Sequence, residues 1–300
     1  MVQSKVMDPG IPYAFFAVLS FSTCSFLFQR LTRLNSALWM NTFKACLATT
    51  LMVLCAAFTL PSHISDLTFQ LVATLFLSGL IGLNLSDWFM LHAYDRMGPA
   101  RTTLLYRFQP LYLGFLGSVF LGQVFTSRLL LAVGLLIGCV LLLSLERRQQ
   151  QGHWDFKGVA LALGGMLLDG TGSFLSSMAL KSEPSISSLE ANALRGVAAL
   201  FGFALWSRFQ PIGLVPKYRS LSPRLKVVAL IAAFVGTFGG LTLWLNALKV
   251  GKLATVASVG GLAPIVTFSI ESFISRKLPG RYAVVALVLA LTAFFLLLFA

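Results

Sequence analysis

The sequence predicts an all-α integral membrane protein: ten transmembrane helices forming two inverted five-helix repeats around a central cavity. Three observations carry that expectation. Of 300 residues, 57% are hydrophobic and 11% charged, with a mean hydropathy of +0.84, whereas an average soluble domain is about a quarter charged. Apolar stretches of about 20 residues, enough to cross a hydrocarbon core roughly 30 Å thick as a helix, recur along the whole chain. The two halves also resemble one another in sequence order.

Taken in turn, the expected spans of the first half are 11–28, 36–60, 69–92, 99–122 and 127–145. A polar connector, 146–155 (ERRQQQGHWD), interrupts, and the second half continues with 156–180, 186–206, 225–248, 253–274 and 282–299. Helices are expected because an isolated strand leaves its backbone polar groups unsatisfied in lipid. The first span reads as a retained helix. Its apolar stretch exceeds the roughly 7–15 residues of a signal-peptide core, and no Ala-x-Ala site follows.

The chain carries 23 Lys and Arg against 10 Asp and Glu, a net charge of +13. The cations stand singly or in pairs between apolar stretches, with no basic run interleaved with aromatics. That pattern points to membrane loops and away from nucleic acid. Cys24, Cys46, Cys55 and Cys139 all lie in apolar stretches and read as packing residues, without zinc spacing or a disulfide framework. No metal site and no cofactor are expected.

The internal likeness is the most informative feature. Thr23-Cys24-Ser25-Phe26-Leu27 matches Thr171-Gly172-Ser173-Phe174-Leu175 at an offset of 148. Ser36-x-Leu38-x-x-Asn41-x-x-Lys44 matches Ser187-x-Leu189-x-x-Asn192-x-x-Arg195 at 151. Gly82, Ala93, Ala100, Pro110 and Ser118 match Gly236, Ala247, Ala254, Pro264 and Ser272 at 154. Collinear order with a slowly growing offset indicates duplication, with repeats at 1–150 and 151–300. Five spans per repeat is an odd number, so the second copy enters the membrane inverted. Such a pair can expose one central site alternately to the two sides.

Charges inside the spans need a reason, since each costs roughly 2.5–3.5 kcal/mol at the helix centre on insertion scales. Lys44 and Arg195 each follow an Asn by three residues, so Asn41 and Lys44 share a face, as do Asn192 and Arg195. Each pair suits a carboxylate or phosphate in a cavity; the alternatives are pairing with an acid or snorkelling. Asp169, midway along its span beside Gly170 and Gly172, can meet a substrate ammonium, carry a coupling proton or neutralise a buried Arg. Asp87 and Glu271 lie nearer span ends, where interfacial anchoring is the simpler reading. In Tyr106-Arg107-Phe108-Gln109-Pro110, the Pro frees backbone to line a cavity. Tyr106 and Arg107 are therefore candidate substrate contacts, unless Arg107 bridges to Asp87. Its partner Gly260-Gly261-Leu262-Ala263-Pro264 keeps the Pro and loses the large polar residues. Trp88 and Trp244 are either cavity walls or interfacial belt residues. Gly134-x-x-x-Gly138 allows close helix packing, but Val288 and Thr292 hold the matching positions of the tenth span.

On these residues the chain resembles the EamA-type carriers of the drug/metabolite transporter superfamily over nearly its whole length. Each half has the polar Ser/Thr/Gly patch of the first helix and the basic residue of the second. The segments from Ala93 to Pro110 and from Ala247 to Pro264 resemble the family's stretch across helices three and four. The family's usual Gly-Glu after the fourth helix is Gly122-Gln123 here and Arg276-Lys277 in the second half, so no role of that Glu carries over. The resemblance implies a carrier of amino acids, metabolites, drugs or sugar nucleotides.

The function expected is a secondary transporter exporting small metabolites, amino acids or drugs by alternating access. Its partners would be a small-molecule substrate, the lipid bilayer, and a coupling proton or counter-substrate. An exchanger of nucleotide sugars or organic phosphates is the alternative, since Lys44, Arg107 and Arg195 suit an anion. Outside carriers stand a scaffold or receptor and a membrane-embedded enzyme on lipid-linked substrates. His-Glu-x-x-His and Gly-x-Ser-x-Gly do not occur, and His63, His92 and His153 are scattered. No Gly-x-x-x-x-Gly-Lys loop is present to use ATP. Odd-numbered connections carry 15 cations, against five at the termini and even-numbered ones. The positive-inside rule therefore places both termini outside, whereas the resemblance often places both in the cytoplasm. The bacterial inner membrane is the expected location.

Overall fold

The computed structural model describes residues 7–59, 64–97, 102, 105–124, 126–146, 155–263, 265–266, 269–270 and 281–298. Ala100, His63, His153, Pro264, Glu271, Ser272, Arg276, Lys277 and the side chain of Cys139 fall outside them, as does most of the polar connector. Among the described residues the regular structure is entirely helical. The first half runs α1 (Gly10–Leu34), α2 (Ala37–Thr59), a 3-10 turn (Ile64–Asp66), α3 (Phe69–Gly79), a π turn (Leu80–Leu85) and α4 (Ser86–Met97). A 3-10 turn (Tyr106–Phe108), α5 (Gln109–Leu121) and α6 (Ser127–Glu146) complete it. The second half runs α7 (Phe156–Ser182), α8 (Ser188–Phe209), α9 (Leu214–Ser220), α10 (Pro223–Ala232), a second π turn (Ala233–Gly239), α11 (Gly240–Val250), α12 (Leu253–Gly260) and α13 (Arg281–Leu298).

Among the described residues, four helical stretches are long and apolar enough to cross a membrane: Leu38–Thr59, Phe69–Arg96, Phe156–Ser182 and Pro223–Val250. The α8–α9 pair makes a fifth if its 90° bend is taken as one broken span. Shorter apolar helices occupy Gly10–Cys24, Ser127–Gly138 and Leu287–Leu296. Large side chains point outward at both ends of these helices, Phe58, Phe69, Phe156 and Phe209 among them. An outward apolar surface suits lipid and would be a liability in water.

Helix starts repeat between the halves because the capping residues do. Ser36 Oγ accepts from Trp39 N at 3.1 Å, and its match Ser187 accepts from Glu190 N at 3.2 Å. Glu190 returns the bond to Ser187 N at 2.7 Å, closing a capping box. Asp8 Oδ1 accepts from Gly10 N before α1, as Asp155 Oδ1 accepts from Lys157 N before α7. Thr68 and Ser222, 154 residues apart, hold the N-cap positions of α3 and α10, and of the two Thr68 makes the capping bond, accepting from Leu71 N at 3.2 Å. Each such cap contributes about 1 kcal/mol in water-exposed helices.

Packing obeys the same two-fold relation. α7 lies on α3, α4 and their π turn, as α1 lies on α10, α11 and theirs. α2 pairs with its own match α8, α5 with α12, and α6 with α13. The π turns occupy matching positions, and each carries the glycine of a close crossing. A Cβ on Gly82 would stand 3.0 Å from Gly172 Cα, and one on Gly236 would stand 2.6 Å from Cys24 Cβ. Gly172 and Cys24 are themselves a matched pair.

The matched first helices run antiparallel. Asp8 Oδ2, just before α1, accepts from Lys252 N at 2.9 Å. Lys181 Nζ, at the far end of α7, donates to Gly251 O at 2.8 Å. One turn, 251–252, thus meets the start of α1 and the finish of α7. The 27 residues of α7 at 1.5 Å each put Asp155 roughly 40 Å away, at the opposite end.

Two expectations change. Within the fourth span the helix is interrupted: Thr102 and Leu105 are helical, but Tyr106–Phe108 is a 3-10 turn before α5 begins at Gln109 with Pro110 in its first turn. Gly134 and Gly138 face outward, with nothing within 4 Å of an added Cβ, so the α6–α13 contact does not use them.

Candidate functional site

A cavity of about 220 Å³ lies between the repeats. Its lining comes from α1, α2, both third-helix segments, α7 and α8, and it includes Asn41, Lys44, Asp87, Asp169 and Asn192. Three ionisable groups of both signs share it. Thr49 and Thr237 add hydroxyls, and Phe21, Phe28, Met52 and Phe203 supply apolar wall.

Lys44 and Arg195, matched in sequence, have separate environments. Arg195 is 3% exposed and is not part of the lining. Its Nε donates to Ser78 Oγ and its Nη1 to Asn192 Oδ1, both at 3.0 Å. Ser78 Oγ in turn lies 2.6 Å from Ser176 Oγ and 2.7 Å from Gly172 O. The positions that correspond to Ser78 and Ser176 in the other repeat are Ala232 and Phe28. Lys44 therefore has no hydroxyl cradle to bury into. Its ammonium stands 5.7 Å from the Phe28 ring centroid, a cation–π contact, and remains in the cavity wall.

Asp169 sits on α7 where the other repeat has Phe21, and both line the cavity. Gln109 Nε2 donates to Asp169 Oδ2 at 2.6 Å, which fixes the carboxylate and leaves Oδ1 for another donor. One turn away, Tyr112 Oη and Thr171 Oγ1 meet at 2.9 Å. Gln109 belongs to the unusual Tyr106–Pro110 stretch, but its tie to Asp169 has no sequence signal, because the two lie 60 residues apart.

The remaining candidates fall elsewhere. Tyr106 and Arg107 are half-buried and lie outside the lining. Arg107 Nη1 donates to Gly260 O at 3.0 Å, joining the two matched fourth-helix stretches. Asp87, which reads from sequence as an interfacial anchor, instead lines the cavity. The π turn before it explains the difference, since an inserted residue rotates everything beyond it about the helix axis. Trp88 stacks on Trp206 at 5.5 Å and Trp244 packs in the core; neither is a lining residue. Glu190 is spent on its capping box and on Thr59 Oγ1 at 2.6 Å. Gln123, standing where the family has Glu, accepts from Leu253 N at 3.0 Å and so caps α12.

Beyond the bilayer-crossing stretches, the Arg96 hydrogen bond holds the Asp155 carboxyl below the usual carboxylate range. Among the described residues no three His, Cys, Asp or Glu side chains group as a metal site. Paired antiparallel repeats around a small cavity with charged groups in its wall, in an apolar helical body, define an integral membrane transporter. The chain belongs to the EamA-like transporter family, which it matches twice, over residues 8–145 and 156–299. A solved crystal structure of another protein shares the fold, with a TM-score of 0.76 over 96% of this chain and 95% of that one at 14% identity. No curated protein matches the sequence.

Proposed function

We propose that the chain is a secondary carrier that moves a small zwitterionic metabolite, one amine and one carboxylate, through the cavity by alternating access. The supporting observation is that Lys44 shares this compartment with Asp87 and Asp169. A substrate carboxylate pairs with Lys44 and Asn41, and its ammonium meets the free oxygen of Asp169 and the Asp87 carboxylate. Charge-assisted bonds of this kind are the strong ones, and both ends must match for the buried groups to be satisfied.

Size favours the same reading. At about 220 Å³ the cavity falls below the roughly 300–1,000 Å³ typical of pockets for drug-sized ligands. A nucleotide sugar would also bring its phosphates beside two carboxylates while Arg195 is occupied elsewhere. That makes the anion exchanger the weaker reading, and Asn41, Lys44 and Asp169 the primary substrate contacts of this conformation, with the Asn192 amide held by Arg195 and Leu241. Tyr106, Arg107 and Arg195 act one layer out, through Gly260 and Asn192.

The test is counterflow in proteoliposomes loaded with a panel of amino acids, simple amines, organic phosphates and nucleotide sugars. Uptake confined to zwitterions, abolished by Lys44→Met and by Asp169→Asn, is expected. Uptake of phosphates with Asp169→Asn unimpaired would establish the exchanger instead.

A further inference from the structure

We propose that this conformation is closed at the end where α1 begins and open at the end where α1 stops. Hydrogen bonds from Ser177, Lys181 and Asn192 to the main chain of α11 and the following turn form the gate that keeps it so. The inference rests on the carrier reading and assigns that carrier's positioning residues.

The two-fold relation holds for most of the helix packing and, among the described residues, is broken where α7 and α8 meet α11. Ser177 Oγ donates to Leu248 O at 2.8 Å, Lys181 Nζ to Gly251 O at 2.8 Å, and Asn192 Nδ2 to Leu241 O at 2.9 Å. Ser188 Oγ reaches Asn246 Oδ1 at 2.9 Å, and Lys249 Nζ returns to Pro184 O and Ile186 O at 2.7 and 2.9 Å. These bonds pull α7 and α8 onto α11. The matching helices at the other end are α1, α2 and α4, and among the described residues no comparable packing joins α1 or α2 to α4.

The side chains at that second end carry the same message. Asn192 matches Asn41, and Leu241 matches Asp87. Both pairs reach the cavity wall, but only the first is joined, by Asn192 Nδ2 to Leu241 O. Phe28 and Lys44, close to the end where α1 stops, line it too. Exchanging the conformations of the repeats gives the second state. Asn41 then donates to the main chain at Asp87, while Asn192 leaves Leu241 and frees its amide toward the cavity. Bonds lost at one end are replaced at the other, so the two states differ little in free energy, as an alternating device requires.

Side-specific labelling tests this in the full chain with its four cysteines replaced by alanine. Single probes Asn41→Cys and Asn246→Cys are exposed to a membrane-impermeant maleimide from each face of sealed vesicles. In the otherwise unchanged chain, Asn41→Cys labels quickly from the face where α1 stops, and Asn246→Cys is protected from the other. Combining Ser177→Ala with Lys181→Met removes two donors; labelling of Asn246→Cys then rises roughly tenfold and that of Asn41→Cys falls, the shift expected from two net hydrogen bonds. Lys181→Arg keeps a donor and labels like the parent, which separates gating from misfolding. A rise at Asn246→Cys with no fall at Asn41→Cys, or no change at either, overturns the proposal. Labelling needs no solute, so its failure is distinct from failure of the counterflow test.

Discussion

Arg195 Nε donates to Ser78 Oγ at 3.0 Å, and this bond separates two residues that look equivalent in sequence. Lys44, the match of Arg195, stands over the Phe28 ring, and Ala232 and Phe28 hold the positions that correspond to Ser78 and Ser176. One cation is built into the helix interface and the other is left for a solute.

The two should therefore fail differently when removed. Arg195→Ala leaves Asn192 Oδ1 without its donor in a buried site, at about 1–3 kcal/mol, takes one donor from Ser78, and lowers the melting temperature in detergent. Lys44→Ala leaves melting nearly unchanged and abolishes flux. Equal melting of the two variants would contradict this division.

Asp169→Asn keeps a carbonyl oxygen for Gln109, so the helix contact survives and the protein inserts normally. Flux of an amine-bearing solute falls by at least tenfold, whereas Gln109→Leu, which frees the carboxylate, alters the Michaelis constant more than the turnover. Flux assays on both variants in parallel check this.

Gly82 and Gly172 bring two backbones together, and a Cβ on Gly172 would stand 2.6 Å from Gly82 Cα. Gly172→Ala should cost about 1–3 kcal/mol, the usual penalty of overpacking. Gly134→Ala, which meets nothing within 4 Å, should be neutral or gain up to about 1 kcal/mol from helix propensity. Thermal unfolding of the purified variants distinguishes the two sites.

The charge asymmetry of the connections predicts sidedness. A reporter that fluoresces only in the cytoplasm, fused after Ala300, should stay dark, because 15 cations lie in the odd-numbered connections and five at the termini and even-numbered ones. Bright fluorescence would reverse the assignment and, with it, the face to which the cavity opens.

Much of this architecture is legible in the chain, and for a physical reason. The matches at Ser36 and Ser187 are capping residues, and those at Gly82, Gly236 and Gly172 are backbone crossings. Both roles depend on side-chain chemistry at one position, so they survive as letters. The cavity is less legible because its chemistry arises where the repeats differ. Asp87 stands opposite a Leu and Asp169 opposite a Phe, and Gln109 reaches Asp169 only through the tertiary fold. Asp87 read as an interfacial anchor from its place near a span end, and hydropathy has no register, so the π turns that set which face such a residue takes left no trace in it.

Those π turns make the length of the third helix a chemical variable. Excising a single residue between Leu80 and Leu85 would restore a regular ladder and swing everything downstream by about 100°. The Asp87 carboxylate would then sweep out of the polar compartment toward the hydrocarbon. In this protein a one-codon deletion, with every ionisable group retained, can rewrite what the pore accepts.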